Sequence, residues 1–173
     1  METWDAICAR RDVRDHADRA IPEADLDLIL EAGRRTPSSR NLQRWDFVVV
    51  RGRERLEALA EVWHGARHVA TSDATVALVA PVSDDRRTRE SIQYDLGQVT
   101  MSMMLAAADR GVGSAHSAVG RHDLARELLG LPPDRVCAWL LSFGYPADRP
   151  LRPLRRPARR DFADVVHRDR WRG

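Results

Sequence analysis

Thr36-Pro37-Ser38-Ser39-Arg40-Asn41-Leu42-Gln43-Arg44-Trp45 runs straight into Asp46-Phe47-Val48-Val49-Val50, a polar turn delivering the chain into a β-branched, aromatic run of the kind that forms a buried strand. The turn ends a helix on its amino-terminal side. Pro22 suits a first helical position, and Leu26, Ile29, Leu30 and Gly33 share one face up to Thr36. Hydroxyl and amide side chains in such a turn can donate and accept along the edge of a heterocycle, or can satisfy the loop's own backbone. Composition alone favours the latter.

Further upstream, Trp4, Ile7 and Cys8 make a short helical stripe that hands over to Arg10-Arg11-Asp12-Val13-Arg14. Downstream, Leu56, Leu59, Ala60 and Trp63 return to helical spacing over 53–63, and 74–82 is a second apolar strand. The longest periodic segment, 89–110, keeps Ile92, Leu96, Val99, Met103, Met104 and Ala107 on one broad side, which suits a central or dimer-core helix. Gly111-Val112-Gly113-Ser114 turns out of it toward a short strand at 115–119. A small helix at 122–129 is closed by Gly130, and 136–145 is a third strong strand. Pro146, Pro150, Pro153 and Pro157 then forbid regular structure, so 146–173 reads as an extended arm with 162–167 as a last turn or edge strand. The strands are unevenly spaced, without the regular alternation of a doubly wound parallel sheet. An α+β domain over 1–173 is expected.

The formal net charge of +2 among 173 residues gives no global basic field for nucleic acid. The chain contains no lysine, which excludes Schiff-base chemistry and makes every cationic contact a guanidinium able to fork onto phosphate oxygens. Neither a glycine-rich dinucleotide fingerprint nor a Walker loop is present, so any phosphate ligands must be arginines. Cys8 and Cys137 are far apart and lack zinc-ligand spacing; both read as reduced core residues, and no metal site is expected. The acidic start and the lack of a long apolar run predict a cytoplasmic protein with no membrane partner.

Four stretches can carry chemistry. Arg10, Arg11 and Arg14 place three guanidiniums within five residues, either a phosphate site or a solvated face. The 36–45 turn is the second. In the third, Gly111-Val112-Gly113-Ser114-Ala115-His116-Ser117-Ala118-Val119-Gly120, small residues let backbone amides approach a flat ligand, and His116 stacks on a ring or is structural. The fourth, Arg159-Arg160-Asp161-Phe162-Ala163-Asp164-Val165-Val166-His167, either completes a phosphate site begun at Arg10 or is a surface arm.

Taken together and in this order, these stretches resemble the nitroreductase family. Arg10-Arg11-Asp12-Val13-Arg14 is similar to its Arg-Arg-Ser-x-Arg opening, and 37–45 to its Pro-Ser-x-x-Asn-x-Gln-Pro-Trp signature. Asp95-Leu96-Gly97-Gln98 through Ser114 resembles its central helix and flavin loop. Leu141-Ser142-Phe143-Gly144-Tyr145-Pro146 resembles its late core strand, and 159–166 its closing Arg-Lys-Pro-Leu-Glu-Glu-Val-Val. The resemblance implies a central, mostly antiparallel sheet flanked by helices, in an intertwined homodimer with an extended carboxy-terminal arm. It implies FMN as cofactor and NAD(P)H as donor, with ping-pong hydride transfer to a nitroaromatic, quinone or enone. Arg10, Arg11, Arg14, Arg159 and Arg160 would hold the ribityl phosphate, with Asp12 among them. Pro37, Ser38, Ser39 and Asn41 would reach the flavin from the partner subunit, and Ala115, His116 and Ser117 would line the ring. The flavin carries the chemistry, so no side chain is expected as acid or base.

Three departures bear on this. Asp12 stands where the pattern has serine and would repel a phosphate unless paired with Arg10, Arg14 or another arginine. Arg44 replaces the proline before Trp45, and His16 replaces an aromatic. The stretch between Val82 and Tyr94 is too brief for a lid helix, which predicts an open cleft. Two rival functions fit the same residues: a specialised flavin enzyme of the family (an oxygen-using oxidase, a dehalogenase or a flavin-fragmenting enzyme), and a non-catalytic regulatory protein binding anions or nucleic acid through its arginines.

Overall fold

The central strand of the sheet is buried along almost its whole length, and everything else is arranged on its two faces. A computed structural model describes residues 1–154 and 157–172; positions 155, 156 and 173 lie outside the described residues. The strands β1 (Asp46–Val50), β2 (Ala74–Pro81), β3 (Gly113–Ser117) and β4 (Arg135–Gly144) form one sheet in the order β1-β2-β4-β3, with every neighbouring pair antiparallel. Ala74 to Ala80 are all buried, as expected of a run covered on both faces.

On one face, Val76, Leu78, Leu141 and Phe143 pack against α2 (Glu23–Arg34) and α4 (Arg86–Asp109) through Leu26, Ile29, Leu96, Val99 and Met103. Each such side chain contributes about 1.5–3 kcal/mol on burial. The close approach of α2 to α4 depends on Gly33, where an added Cβ would lie 2.2 Å from Met103 Cε and 3.2 Å from Phe47 Cζ. On the other face, Ala77, Cys137 and Leu140 meet α3 (Arg53–Ala60), a 3-10 turn at Arg67–Val69 and α5 (His122–Leu129) through Leu56, Leu59, Val69 and Ala125. The amino-terminal α1 (Thr3–Ala9) lies against α4, and a one-turn helix, α6 (Phe162–Val165), is the last element.

The elements read from the sequence are all present, with shifted bounds where the apolar pattern is silent. α4 begins a turn earlier than its stripe, because the Asp85 side chain accepts from the Thr88 amide at 2.8 Å and starts the helix on polar residues. β3 begins at Gly113 because its pairing with β4 runs to Gly144. Residues 162–165 form a helical turn, not an edge strand. Only four residues separate β2 from α4, and Arg89 Nη1 donates to the Ser83 and Asp84 carbonyls there at 3.0 and 2.7 Å; no lid helix stands between them.

Candidate functional site

At the end of α1 the chain straightens at Arg10 (φ −60°, ψ 126°) and joins the free edge of the sheet. Asp12 forms a parallel bridge with Ser114 of β3, and Val13 N donates to the Ser114 carbonyl at 2.9 Å. Val13 is buried over Gly113, where a Cβ would come within 2.6 Å of it. Only glycine at 113 lets the basic segment lie this close to β3. Arg10 Nη1 and Arg14 Nη2 both donate to the Asp12 carboxylate, at 3.1 and 2.8 Å, and Arg10 also rests 4.0 Å from Met104 Sδ on α4. The pairing that would spare a phosphate from Asp12 is therefore present. Arg11 turns away, donating to Asp148 at 2.6 Å and to the Arg149 carbonyl at 3.0 Å, where the arm begins.

The 36–45 turn is held by a residue that the sequence reading quoted but gave no role. Asp95 of α4 is 2 % exposed, and its carboxylate accepts from the Ser39 amide at 3.1 and 3.2 Å and from the Ser39 hydroxyl at 3.3 Å. Arg44 stands 3.8 Å from the same carboxylate and donates to Ser91 Oγ at 2.7 Å. This is how the chain accommodates arginine before Trp45. Within the turn, the Ser38 hydroxyl accepts from the Gln43 amide at 2.9 Å. Arg40, Asn41 and Gln43 adopt positive φ of 55°, 57° and 47°. Three such residues together are strained backbone, which persists only where surroundings over-determine it and which concentrates at functional sites. Pro37, Ser39 and Asn41 are exposed and Ser38 half-buried; among the described residues the Asn41 side chain makes no hydrogen bond.

Ala115 and Ser117 of β3 are buried, whereas His116 is exposed and meets the Trp139 ring edge-on at 5.8 Å. A groove of about 280 Å³ runs past His116 between Trp139 and Gln93, Gly97 and Thr100 of α4. A second hollow, of about 300 Å³, is bordered by Arg14, Asp15, His64, Arg67, His68 and Thr71. Sequence reasoning passed over His68. It is buried, with Nδ1 2.8 Å from Ser142 Oγ, and its pKa is pushed down to about 4 by burial first and by Arg14 next. His16 is buried beside Gly144, where a Cβ would lie 2.7 Å from its Nδ1; burial lowers its pKa too.

The described chain thus brings Arg10, Asp12 and Arg14 together with Ala115, His116 and Ser117. The turn bearing Pro37, Ser38, Ser39 and Asn41 sits elsewhere. Asp95, which anchors it, and Met104, which Arg10 touches, are nine residues apart on α4, so they are two and a half turns and roughly 13 Å distant and project from opposite sides of the helix. Arg159 and Arg160 are exposed, with hydrogen bonds to the Ala158 and Asp164 carbonyls of their own segment. Among the described residues none joins them to Arg10 or Arg14. No group of three or more metal-ligating side chains occurs among the described residues, and none of their helices is long and apolar enough to cross a membrane.

Comparison with known proteins places this architecture. The chain is 31% identical, over 95% of its length and 96% of the other's, to a protein of Archaeoglobus fulgidus provisionally named NADH dehydrogenase/NAD(P)H nitroreductase. It is 25% identical to the FMN reductase (NAD(P)H) of Bacillus subtilis over 90% of this chain and 70% of that one. A solved structure of a provisionally named NADH oxidase from Clostridium acetobutylicum superposes with a TM-score of 0.86 at 22% identity, covering 96% of this chain and all of the other. The model of the nitroreductase family matches residues 7–145, from α1 through the end of β4. The chain belongs to the nitroreductase family.

Proposed function

We propose that the chain is an FMN-dependent oxidoreductase that takes hydride from NADH or NADPH and delivers it to nitroaromatic, quinone or enone acceptors, working as a cytoplasmic homodimer. Family membership and relatives whose names specify NAD(P)H and FMN support the reaction class. The observation that carries the reading is the Arg10–Arg14 segment laid along β3, which sets guanidiniums beside a strand of small residues. Bound FMN would supply two-electron transfer, reduced by the nicotinamide and reoxidised by the acceptor in alternation. This chain's residues supply the rest. Arg10 and Arg14, held in place by Asp12, would fork onto the phosphate, with Arg11, Arg159 and Arg160 as further cations. Ala115 and Ser117 keep the strand low enough for a flat ring, and His116 borders the groove on its α4 side.

The division of α4 supports the homodimer. A turn anchored at Asp95 cannot serve the arginines near Met104 of its own chain, since the helix stands between them; a second copy can present Pro37, Ser38, Ser39 and Asn41 to the first. Trp4, Tyr94 and Met101 leave apolar surface uncovered on α1 and α4, as a dimer seam requires. The test is the visible spectrum of the purified protein with added FMN, followed by initial rates at varied NADH or NADPH and quinone. A yellow dimer giving parallel double-reciprocal lines is expected. A colourless protein that takes up no FMN overturns the proposal, and intersecting lines overturn the alternation.

A further inference from the structure

Trp139 and Gln93 border the groove beside His116 and hold each other in place. The Trp139 indole Nε1 donates to Gln93 Oε1 at 2.8 Å. An indole nitrogen only donates, so the Gln93 amide is held one way round, its oxygen to the tryptophan and its nitrogen away from it. Among the described residues that Nε2 has no acceptor, which leaves an oriented, uncharged N–H donor bordering the groove. His116 packs edge-on against the same indole at 5.8 Å and fixes it from a second side. On α4, Gln93, Gly97 and Thr100 form one stripe along the groove. Glycine inside a helix is destabilising relative to alanine. At Gly33 close packing explains it, but at Gly97 an added Cβ would meet nothing within 4 Å. Nothing inside this chain calls for glycine there, whereas close approach of another molecule to the helix backbone does.

The groove's size and chemistry favour one occupant. At about 280 Å³ it lies at the small end of ligand clefts, with room for a molecule of one or two rings. A half-buried indole favours a flat ring laid against it, and a fixed neutral donor favours an uncharged oxygen on that ring. Tyr94 and Met101, the exposed large apolar residues of α4, stand about a quarter turn round the helix from the stripe, so a second copy meeting them flanks the groove without filling it. Resting on the flavin reading above, we propose that this groove receives the oxidised acceptor and selects a planar aromatic one, a quinone or a nitroaromatic, over an aliphatic enone. Trp139 stacks on the acceptor's ring and Gln93 Nε2 donates to its carbonyl or nitro oxygen, which makes both specificity-determining residues.

The experiment follows the bound FMN anaerobically, first as NADH or NADPH reduces it and then as 1,4-naphthoquinone, nitrobenzene or 2-cyclohexenone reoxidises it. It compares wild type with Trp139→Leu, Gln93→Glu and Gly97→Leu. Trp139→Leu should raise the half-saturating concentration of the two aromatic acceptors about tenfold and that of the enone much less. Gln93→Glu keeps an oxygen for the indole but replaces the free donor with an acceptor, so it should raise the value about fivefold for all three; a glutamine that merely held Trp139 would leave it unmoved. Gly97→Leu, a better helix former placed over open space, should block all three while FMN content and dimer elution stay those of wild type. Without turnover, nitrobenzene added to the oxidised holo-protein should shift the indole N–H resonance that Trp139→Leu removes. Gln93 is exposed on α4, so its variant serves even if Trp139→Leu fails to fold. Equal losses for quinone and enone in Trp139→Leu, wild-type behaviour of Gln93→Glu, a motionless indole resonance, or a monomeric Gly97→Leu each overturns the assignment. So does a defect confined to reduction by the nicotinamide. All of these leave the flavin reading intact, whereas wild-type protein that takes up no FMN overturns both.

Discussion

Replacing Asp95 with alanine removes the carboxylate beneath the 36–45 turn, and the structure sets the size of the effect. A hydrogen bond to a charged group contributes about 1.5–3 kcal/mol, and Asp95 accepts one from the Ser39 amide and another from its hydroxyl. Arg44, whose Nε is already buried without a partner, loses its counter-charge as well. Breaking a buried pair costs about 3–5 kcal/mol. The 3.8 Å separation and the second contact of Arg44 with Ser91 place this one at the lower end, about 3 kcal/mol. Strain opposes it. Arg40, Asn41 and Gln43 each hold a positive φ at a cost of about 1 kcal/mol, so letting go returns about half of what the turn loses. Global unfolding should therefore register about 3 kcal/mol, roughly 6–12 °C in melting temperature. FMN affinity should fall more steeply, because Ser38 and Asn41 lose their position. Asp95→Asn keeps an acceptor for Ser39 and should fall between. Calorimetry, limited proteolysis across 36–45 and FMN titration measure the three effects. An Asp95→Ala protein with wild-type melting and a protease-resistant turn would refute the reasoning.

Arg10→Ala combined with Arg160→Ala should release flavin while circular dichroism stays that of the wild type; full flavin content in the double variant contradicts the phosphate assignment. His68 has its pKa lowered from 6.5 to about 4 in the fold, so below pH 6.5 the unfolded chain takes up a proton the native state resists. The stability present above pH 6.5 is lost as pH falls, by up to about 3 kcal/mol near pH 4. His16, lowered by burial in the same direction, adds to it. His68→Gln should flatten this acid limb in a plot of melting temperature against pH, and parallel curves for the two proteins would count against it. Burial pushes the Cys137 thiol up to about 12, so a thiol reagent at pH 8 should titrate one sulfur in the native protein, that of half-buried Cys8, and two after denaturation; two at once would show that the β4 core opens.

The sequence announces elements by apolar period, and where period and structure coincide the reading holds: α5 spans 122–129 as expected and ends at Gly130, with φ 65°. It goes silent where polar contacts decide. The cap at Asp85 and the anchor at Asp95 are single carboxylates whose partners are backbone amides, and no spacing rule distinguishes them from solvated acids. Asp95 did carry a faint signal, an acid among the apolar positions Ile92, Leu96 and Val99. His68 carried less, since its partner Ser142 is 74 residues away in the chain and only the β4 ladder brings them together. The arginine clusters were visible as charge, but their division of labour was not: Arg11 serves the arm while Arg10 and Arg14 share Asp12.

That division bears on how a phosphate could be held. At neutral pH a phosphate monoester carries about −1.5 to −2 charges, while Arg10 and Arg14 together, with Asp12 between them, present a single net positive charge. Asp12 fixes both guanidiniums in space, which lowers the entropy lost on forking to a ligand, but it also leaves the anion short of compensation by about half a charge to one charge. Arg11 cannot make up the difference without leaving Asp148. The balance must come from elsewhere: Arg67 borders the same hollow as Arg14, and the carboxy-terminal segment carries Arg159 and Arg160, free of acidic partners among the described residues. If the arm supplies that charge, truncation after residue 157 should cost FMN affinity much more than riboflavin affinity. Equal losses for the two flavins would mean that the arm only buttresses the fold.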